Sequence, residues 1–315
     1  MNILVTGGAG FIGSHLIYRL LDKGDIVTCI DNFSLGEIHF LSEAIKNPNF
    51  TLHNIDLKNF DELKNIQINN SIDLIYHLAA NSDIKLGFDN ANLDFGNTFL
   101  TTMNTLKYMK YKNIKNIIFA SSSAIFGDYK GDISENSGPL QPISKYGAAK
   151  LSSEAFISSF CECYDMNAWI VRFPNVVGYK LTHGVIYDFI NKLLKDPSKL
   201  FILGDGKQKK PYLYITDLLD AMELISTQNN KKVQIYNVSP NSYSTVTFIA
   251  DEVIKHLELK NVKITYDGGE IGWIGDVAKF TYNTSKINNL GWSSNYSSNE
   301  AISLSVKKEI EFRKL

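Results

Sequence analysis

The amino-acid sequence predicts an α/β protein, a doubly wound parallel sheet accompanied by a smaller α/β lobe. Three observations predict it. Short β-branched runs alternate with amphipathic stretches through the first half of the 315-residue chain, the βαβαβ rhythm of an open sheet covered by helices. A glycine-rich turn, Thr6-Gly7-Gly8-Ala9-Gly10-Phe11-Ile12-Gly13, follows the first run and opens the first helical stretch. An acid, Asp31, ends the second run.

In chain order, strands are expected over residues 2–6, 25–30, 50–55, 72–78 and 114–120. Several are apolar nearly throughout, as strands buried on both faces require. Amphipathic helices are expected over 11–23 and 97–111, and a longer one over 146–164 leads into a strand at 168–173. After Gly178 the rhythm weakens into shorter elements around Gly-Asp-Gly at 204–206 and a Lys-rich stretch at 207–210. The expected division is a dinucleotide-binding part over 1–176 with returning segments at about 213–240. The smaller lobe takes 177–212 and 241–315.

Composition narrows the function classes. The chain is 44% hydrophobic and 21% charged with a net charge of −1, so neither nucleic acid nor a membrane surface is an expected partner. Cys29, Cys161 and Cys163 are too few for a disulfide framework, and no Cys/His cluster has metal-ligand spacing, so no metal is expected. A strand-like run from the second residue leaves no room for a signal peptide, and no apolar run reaches 18 residues. A reducing, cytoplasmic compartment is the expectation.

The glycine turn sits between a strand and a helix, where backbone N–H groups approach a pyrophosphate at the positive helix end. The candidates are Gly7, Gly10, Phe11, Ile12 and Gly13. Asp31, with Asn32 after it, is placed to accept both hydroxyls of a ribose and would repel a 2′-phosphate, which favours NAD over NADP. The alternative for Asp31 is a plain turn cap. Asp56 and Leu57 end the third strand, where an acid reaches an adenine. Leu78, Ala79 and Ala80 end the fourth with a surface for a flat cofactor. His77 is read as a core histidine.

Tyr146-Gly-Ala-Ala-Lys150 places a phenol and an ammonium one helical turn apart. A phenol near pKa ~10 is a poor base at neutral pH. A neighbouring cation, and the positive charge of a nicotinamide ring, are expected to favour the phenolate. The same spacing recurs at Tyr108, Tyr111 and Tyr282; those three are read as solvated faces. What singles out Tyr146 is Ser121-Ser122-Ser123 at the end of the fifth strand, where ligands of such sheets bind. A hydroxyl there shares a substrate proton.

With those motifs in view, the sequence resembles the extended short-chain dehydrogenases/reductases, in the nucleotide-sugar epimerase/dehydratase family. The carriers span nearly the whole chain: TGGAGFIGSH at 6–15, Asp31-Asn32, HLAA at 77–80, SSSAIFGD at 121–128, YGAAK at 146–150, RFPNVVG at 172–178 and GDGKQKKPYLYITD at 204–217. The stretch from His183 to Phe189 is similar to archaeal-type UDP-galactose 4-epimerases. The resemblance implies a Rossmann sheet holding NAD, with Ser122, Tyr146 and Lys150 catalytic and Asn97, Phe173 and Pro174 beside the nicotinamide. It implies a nucleotide sugar on Ser122, Ser123, Asn175, Val185, Lys210, Tyr212 and Asp276, and a homodimer formed by the helices over 97–111 and 146–164.

Two departures bear on the reaction. Dehydratases of the family follow the strand-end hydroxyl with Asp-Glu; here Ser123-Ala124 follow Ser122, so elimination of water is not expected. The family's two diphosphate-gripping arginines are replaced by Lys210 and Trp273, and a lysine lacks the bidentate fork. The readings left open are oxidation at C4 within a 4-epimerase, a 4-dehydrogenase releasing the keto sugar (a GDP-heptose being one candidate), and a non-catalytic NAD-binding interaction protein.

Overall fold

The computed structural model describes residues 1–68, 70–129, 131–228, 232–269 and 281–315. In chain order it contains β1 (Asn2–Thr6), α1 (Phe11–Asp22), β2 (Ile26–Asp31), β3 (Phe50–Asn54), α2 (Phe60–Lys64), β4 (Leu74–His77), α3 (Ile84–Asp89), α4 (Ala91–Asp94), α5 (Thr101–Lys112) and β5 (Asn116–Ala120). There follow β6 (Asp132–Ile133), α6 (Lys145–Tyr164), β7 (Asn167–Arg172), β8 (Asn175–Val177), α7 (Val185–Lys195), β9 (Lys199–Ile202), β10 (Lys209–Lys210) and β11 (Tyr212–Tyr214). The chain ends with α8 (Ile215–Ser226), β12 (Val233–Asn237), β13 (Ser244–Thr245), α9 (Val246–His256), β14 (Lys263–Tyr266), β15 (Thr281–Tyr282), α10 (Ser285–Asn288) and α11 (Ser298–Arg313).

Two compact units result. The first comprises Met1–Gly127, Leu140–Arg172 and Met222–Tyr236; the second Asp128–Pro139, Phe173–Ala221 and Asn237–Leu315. The first unit carries a seven-stranded sheet in the order β12-β7-β5-β4-β1-β2-β3. β1 pairs in parallel with both β2 and β4, and the parallel pairing runs on through β3, β5 and β7. This is the Rossmann arrangement that the alternating pattern predicts. Leu4, Ile30, Ile75, Ile117 and Phe119 from the sheet share one core with Leu106 and Met109 of α5 and Ile157 and Cys161 of α6. Apolar runs bury on both faces because a helix covers each.

Observed strands lie within two residues of the expected bounds. The helix expected over 97–111 differs more. It begins as a π-helical stretch, Phe95–Leu100, and becomes α-helical only at Thr101. Such wide turns cluster at functional sites.

The second unit is built from small parallel and antiparallel pairs, β8 with β11, β9 with β14, β6 with β15 and β10 with β13. Its helices α7, α9 and α11 pack on one another or on β11. A capping box between Ser297 and Glu300 starts α11.

Candidate active site

The strand order reverses between β1 and β4, and ligands of such sheets bind outside the carboxyl ends of the strands at that point. Thr6, Asp31 and His77 close three of those strands. Gly7 makes the turn at φ +70° and lies so near the end of β4 that a Cβ would come within 2.7 Å of the Ala79 amide nitrogen; only glycine fits. Gly10 precedes α1 with no side chain to cap it, and the first turn, with Phe11, Ile12 and Gly13, carries no acid. The positive helix end therefore stays available to an anion.

Asp31 is buried at 8% exposure. Its carboxylate accepts the Ala9 N–H at 2.9 Å and the Phe33 N–H at 2.8 Å. Burial raises its pKa above the ordinary value, while these bonds and one from Asn32 pull it back. The turn-cap reading thus describes this carboxylate, which holds the glycine turn in place; its remaining lone pairs keep acceptor capacity. Asn32 Oδ1 accepts the Ser34 N–H at 3.0 Å. Asp56 accepts the Lys58 N–H at 2.9 Å, and Leu57 is a core residue whose carbonyl takes a 2.8 Å bond from Asn104. Leu78 donates to the Thr6 carbonyl at 3.1 Å, and Leu78, Ala79 and Ala80 are partly exposed. Asn97 sits on the π-helical stretch, also partly exposed.

His77 is fully buried, with Nδ1 2.7 Å from the Thr6 hydroxyl and Nε2 3.0 Å from the Thr102 hydroxyl. Burial and the Lys150 charge lower it to about 3. It is a neutral, hydrogen-bonded core histidine.

Ser122, Tyr146 and Lys150 meet at the end of β5. Ser144 caps α6 by accepting the Gly147 N–H at 3.0 Å. A Cβ on Gly147 would fall 2.3 Å from the Ala124 carbonyl oxygen, so the glycine lets the start of α6 press against residues 123–126. That approach brings the Tyr146 phenol into hydrogen bonding with Ser122. Ser122 Oγ also accepts the Ala124 N–H at 3.1 Å. Lys150, 2% exposed, donates from Nζ to the Ala120 carbonyl at 2.6 Å and lies 5.8 Å from the Tyr146 ring centroid.

The electrostatics correct one expectation. Burial pushes Tyr146 up to about 12, the Ser122 bond lowers it and the Asp94 carboxylate raises it. Burial lowers Lys150 itself to about 7 against the opposing pull of Glu154. Near neutrality the lysine is only partly charged, because desolvation of a buried ammonium outweighs its neighbours.

The other Tyr-x-x-x-Lys pairs also need correction. Only Tyr111, 55% exposed, is on a solvated face; Tyr108 is 1% and Tyr282 9% exposed. Tyr108 belongs to the core shared by α5 and the sheet.

Within the second unit, Asn175 and Tyr212 are register partners across β8 and β11. Asn175 is exposed, Tyr212 is 4% exposed and its N–H donates to Ser298 Oγ at 3.0 Å. Pro174 is buried, and Phe173 and Val185, the first residue of α7, are partly exposed. Lys210 ends β10 against Ser244. Asp276 and Trp273 lie outside the described residues.

Comparison with known proteins decides the family. The model of the NAD dependent epimerase/dehydratase family matches residues 3–239. The chain belongs to this family. A protein of Methanocaldococcus jannaschii provisionally named UDP-glucose 4-epimerase is 32% identical over 92% of each chain. The human dTDP-D-glucose 4,6-dehydratase is 28% identical over 99% of this chain and 89% of its own. A crystal structure of a UDP-galactose 4-epimerase covers 100% of both chains with a TM-score of 0.86 and 32% identity.

NAD is the cofactor of this epimerase/dehydratase-family enzyme, and the residues fit it. The glycine turn excludes a Cβ at Gly7, the uncapped α1 offers its N–H groups, and Asp31 faces the same turn. Two buried groups beside Lys150 escaped the sequence reading. Glu154 follows Lys150 by one more helical turn, and Arg172 is one of only three arginines in the chain. Those two facts were the available signal. Asp94, which acts on Tyr146 across the fold, left none.

Proposed function

We propose that the enzyme is a nucleotide-sugar 4-epimerase, oxidising the C4 hydroxyl of a nucleotide-linked sugar and reducing the keto sugar on its other face. The observation that carries this reading is the Ser122–Tyr146 hydroxyl pair beside Lys150, with Ser123 and Ala124 where a dehydratase would hold acids. Tyr146, as a phenolate accepting the Ser122 hydroxyl, takes the proton of the sugar hydroxyl and becomes a phenol as the C–H bond breaks. On return, Tyr146 gives the proton back to the C4 oxygen. Lys150, tied to the Ala120 carbonyl, keeps the α6 end of the set in place. Bound NAD supplies the hydride acceptor and a positive ring that favours phenolate.

In this reading Gly7, Gly10, Phe11, Ile12, Gly13, Asp31, Asn32, Asp56, Leu57, Leu78, Ala79, Ala80 and Asn97 hold the cofactor. Phe173 and Pro174 face its nicotinamide. Asn175, Val185, Lys210, Tyr212 and Asp276 hold the nucleotide sugar. The enzyme works in the cytoplasm as a homodimer. Among the described residues no helix is long and apolar enough to cross a membrane.

The test is product analysis by mass spectrometry and NMR after incubation with UDP-, GDP-, CDP- and dTDP-sugars. The expected product has the substrate's mass and an inverted C4. A product lighter by one water would show dehydration; one lighter by two hydrogens, with NADH accumulating, would show a 4-dehydrogenase. Either overturns the epimerase reading.

A further inference from the structure

A buried polar network that the proposed chemistry does not itself use lies directly behind its residues. Glu154 is 5% and Arg172 3% exposed. Glu154 Oε1 accepts from Arg172 Nε at 3.0 Å and Oε2 from Nη2 at 2.6 Å, a two-pronged pair. Oε1 also accepts the hydroxyl of Ser121, which is 1% exposed. Arg172 stacks over Phe126 at 5.3 Å.

The placement connects this network to both ends of the catalytic set. Ser121 stands between Ala120, whose carbonyl holds Lys150, and Ser122, whose hydroxyl bonds Tyr146. Glu154 shares a face of α6 with Tyr146 and Lys150, at successive four-residue steps. A buried carboxylate there acts on the buried ammonium through a medium that screens it weakly. Structural stability alone gives no reason to retain such a pair, because an apolar trio of similar volume is often as stable.

We propose that Glu154, clamped by Arg172 and Ser121, is the positioning residue of the reaction: it fixes the strand end that carries Ser122 and sets a carboxylate one turn of α6 from the Lys150 ammonium. The proposal rests on the epimerase-type reading for its kinetic consequence, not for its electrostatic one. Among the described residues the groups facing Lys150 are few. Tyr146 and Glu154 flank it on α6, His77 of β4 is held neutral near neutral pH by its burial, the Phe119 ring of β5 lies 4.8 Å from Nζ, and Arg172 of β7 acts through Glu154. Asp94 reaches the set through Tyr146. With His77 neutral, Glu154 is the group that opposes the desolvation of Lys150.

The experiment uses NAD-loaded protein and two variants. Glu154→Gln with Arg172→Gln replaces the ion pair by a neutral hydrogen-bonded pair, leaving no unpaired buried charge. Ser121→Ala removes one hydroxyl and leaves the ion pair intact. The Lys150 titration is followed by NMR of lysine labelled at Cε, assigned with Lys150→Met, and kcat is measured against pH with any sugar nucleotide that turns over. In the double variant the Lys150 midpoint should fall by roughly one pH unit or more, and the alkaline limb of kcat should fall with it. Ser121→Ala should leave that midpoint in place and lower kcat about tenfold with KM little changed. An unmoved Lys150 midpoint in a folded double variant overturns the electrostatic role, whether or not a substrate is found. Unchanged kcat in folded Ser121→Ala overturns the strand-end role. Failure of every sugar nucleotide to react would strike the functional reading instead and leave the NMR result standing.

Discussion

Tyr146 and Tyr111 carry the same four-residue spacing to a lysine, yet one meets a serine hydroxyl at a strand end and the other points into water. Tyr146→Phe removes one oxygen, so the fold and NAD binding should survive while proton transfer fails. A loss of roughly 10²–10⁴-fold in kcat is expected, against an unchanged rate for Tyr111→Phe. Comparable losses in both, with both folded, would show that spacing was the wrong guide. The sequence made the choice of Tyr146 legible through Ser122, since a hydroxyl run at the end of an apolar strand is a local pattern. Burial was not legible in the same way. Tyr108 looks like a surface residue from its neighbours Lys107, Lys110 and Lys112, yet its ring enters the core of the first unit. The state of Lys150 was equally hidden, because desolvation depends on what distant strands place around it.

At the scale of elements, the parallel sheet was readable because each of its first strands is an apolar run bounded by turn residues. β6 and β15 were not, being two residues each and paired across the chain from 132 to 281; no local period marks such a strand. The segment Asp128–Pro139 that carries β6 joins the second unit although it falls inside the stretch of sequence read as dinucleotide-binding. The approach of α6 to residues 123–126 turns on Gly147. Gly147→Ala sets a methyl against the Ala124 carbonyl, and relieving that clash should cost about 1–3 kcal/mol of stability. Because the helix start must move away from Ser122, kcat should fall by at least about tenfold, with NAD titration near normal as the glycine turn is untouched. Thermal melting, cofactor titration and turnover on one preparation separate these effects; a variant with full activity would contradict the packing account.

For the whole molecule, the first unit presents an aromatic surface on the helices expected to pair two copies. Phe95, Phe99 and Phe156 are linked by ring contacts of 5.7 and 5.3 Å, and Phe95 and Phe156 remain 56% and 41% exposed. A two-fold interface would set this patch against its own copy. Sedimentation equilibrium should give twice the chain mass for the native protein and the chain mass for Phe156→Glu; a monomeric native protein would remove the homodimer. The family itself was legible from motifs spread over the chain, because each is a local solution to binding one part of a dinucleotide. The sugar and the base were not, since the residues proposed to hold them, such as Lys210 and Tyr212, have a chemistry that suits many sugar nucleotides. The central claim is that hydride leaves C4 and returns to it. It is tested most directly with a reacting sugar nucleotide carrying deuterium at C4. The expected product is the C4 epimer with its deuterium retained at C4 and no loss of mass. An epimer that has exchanged the C4 label for solvent hydrogen, or a keto product that keeps none, would contradict the account.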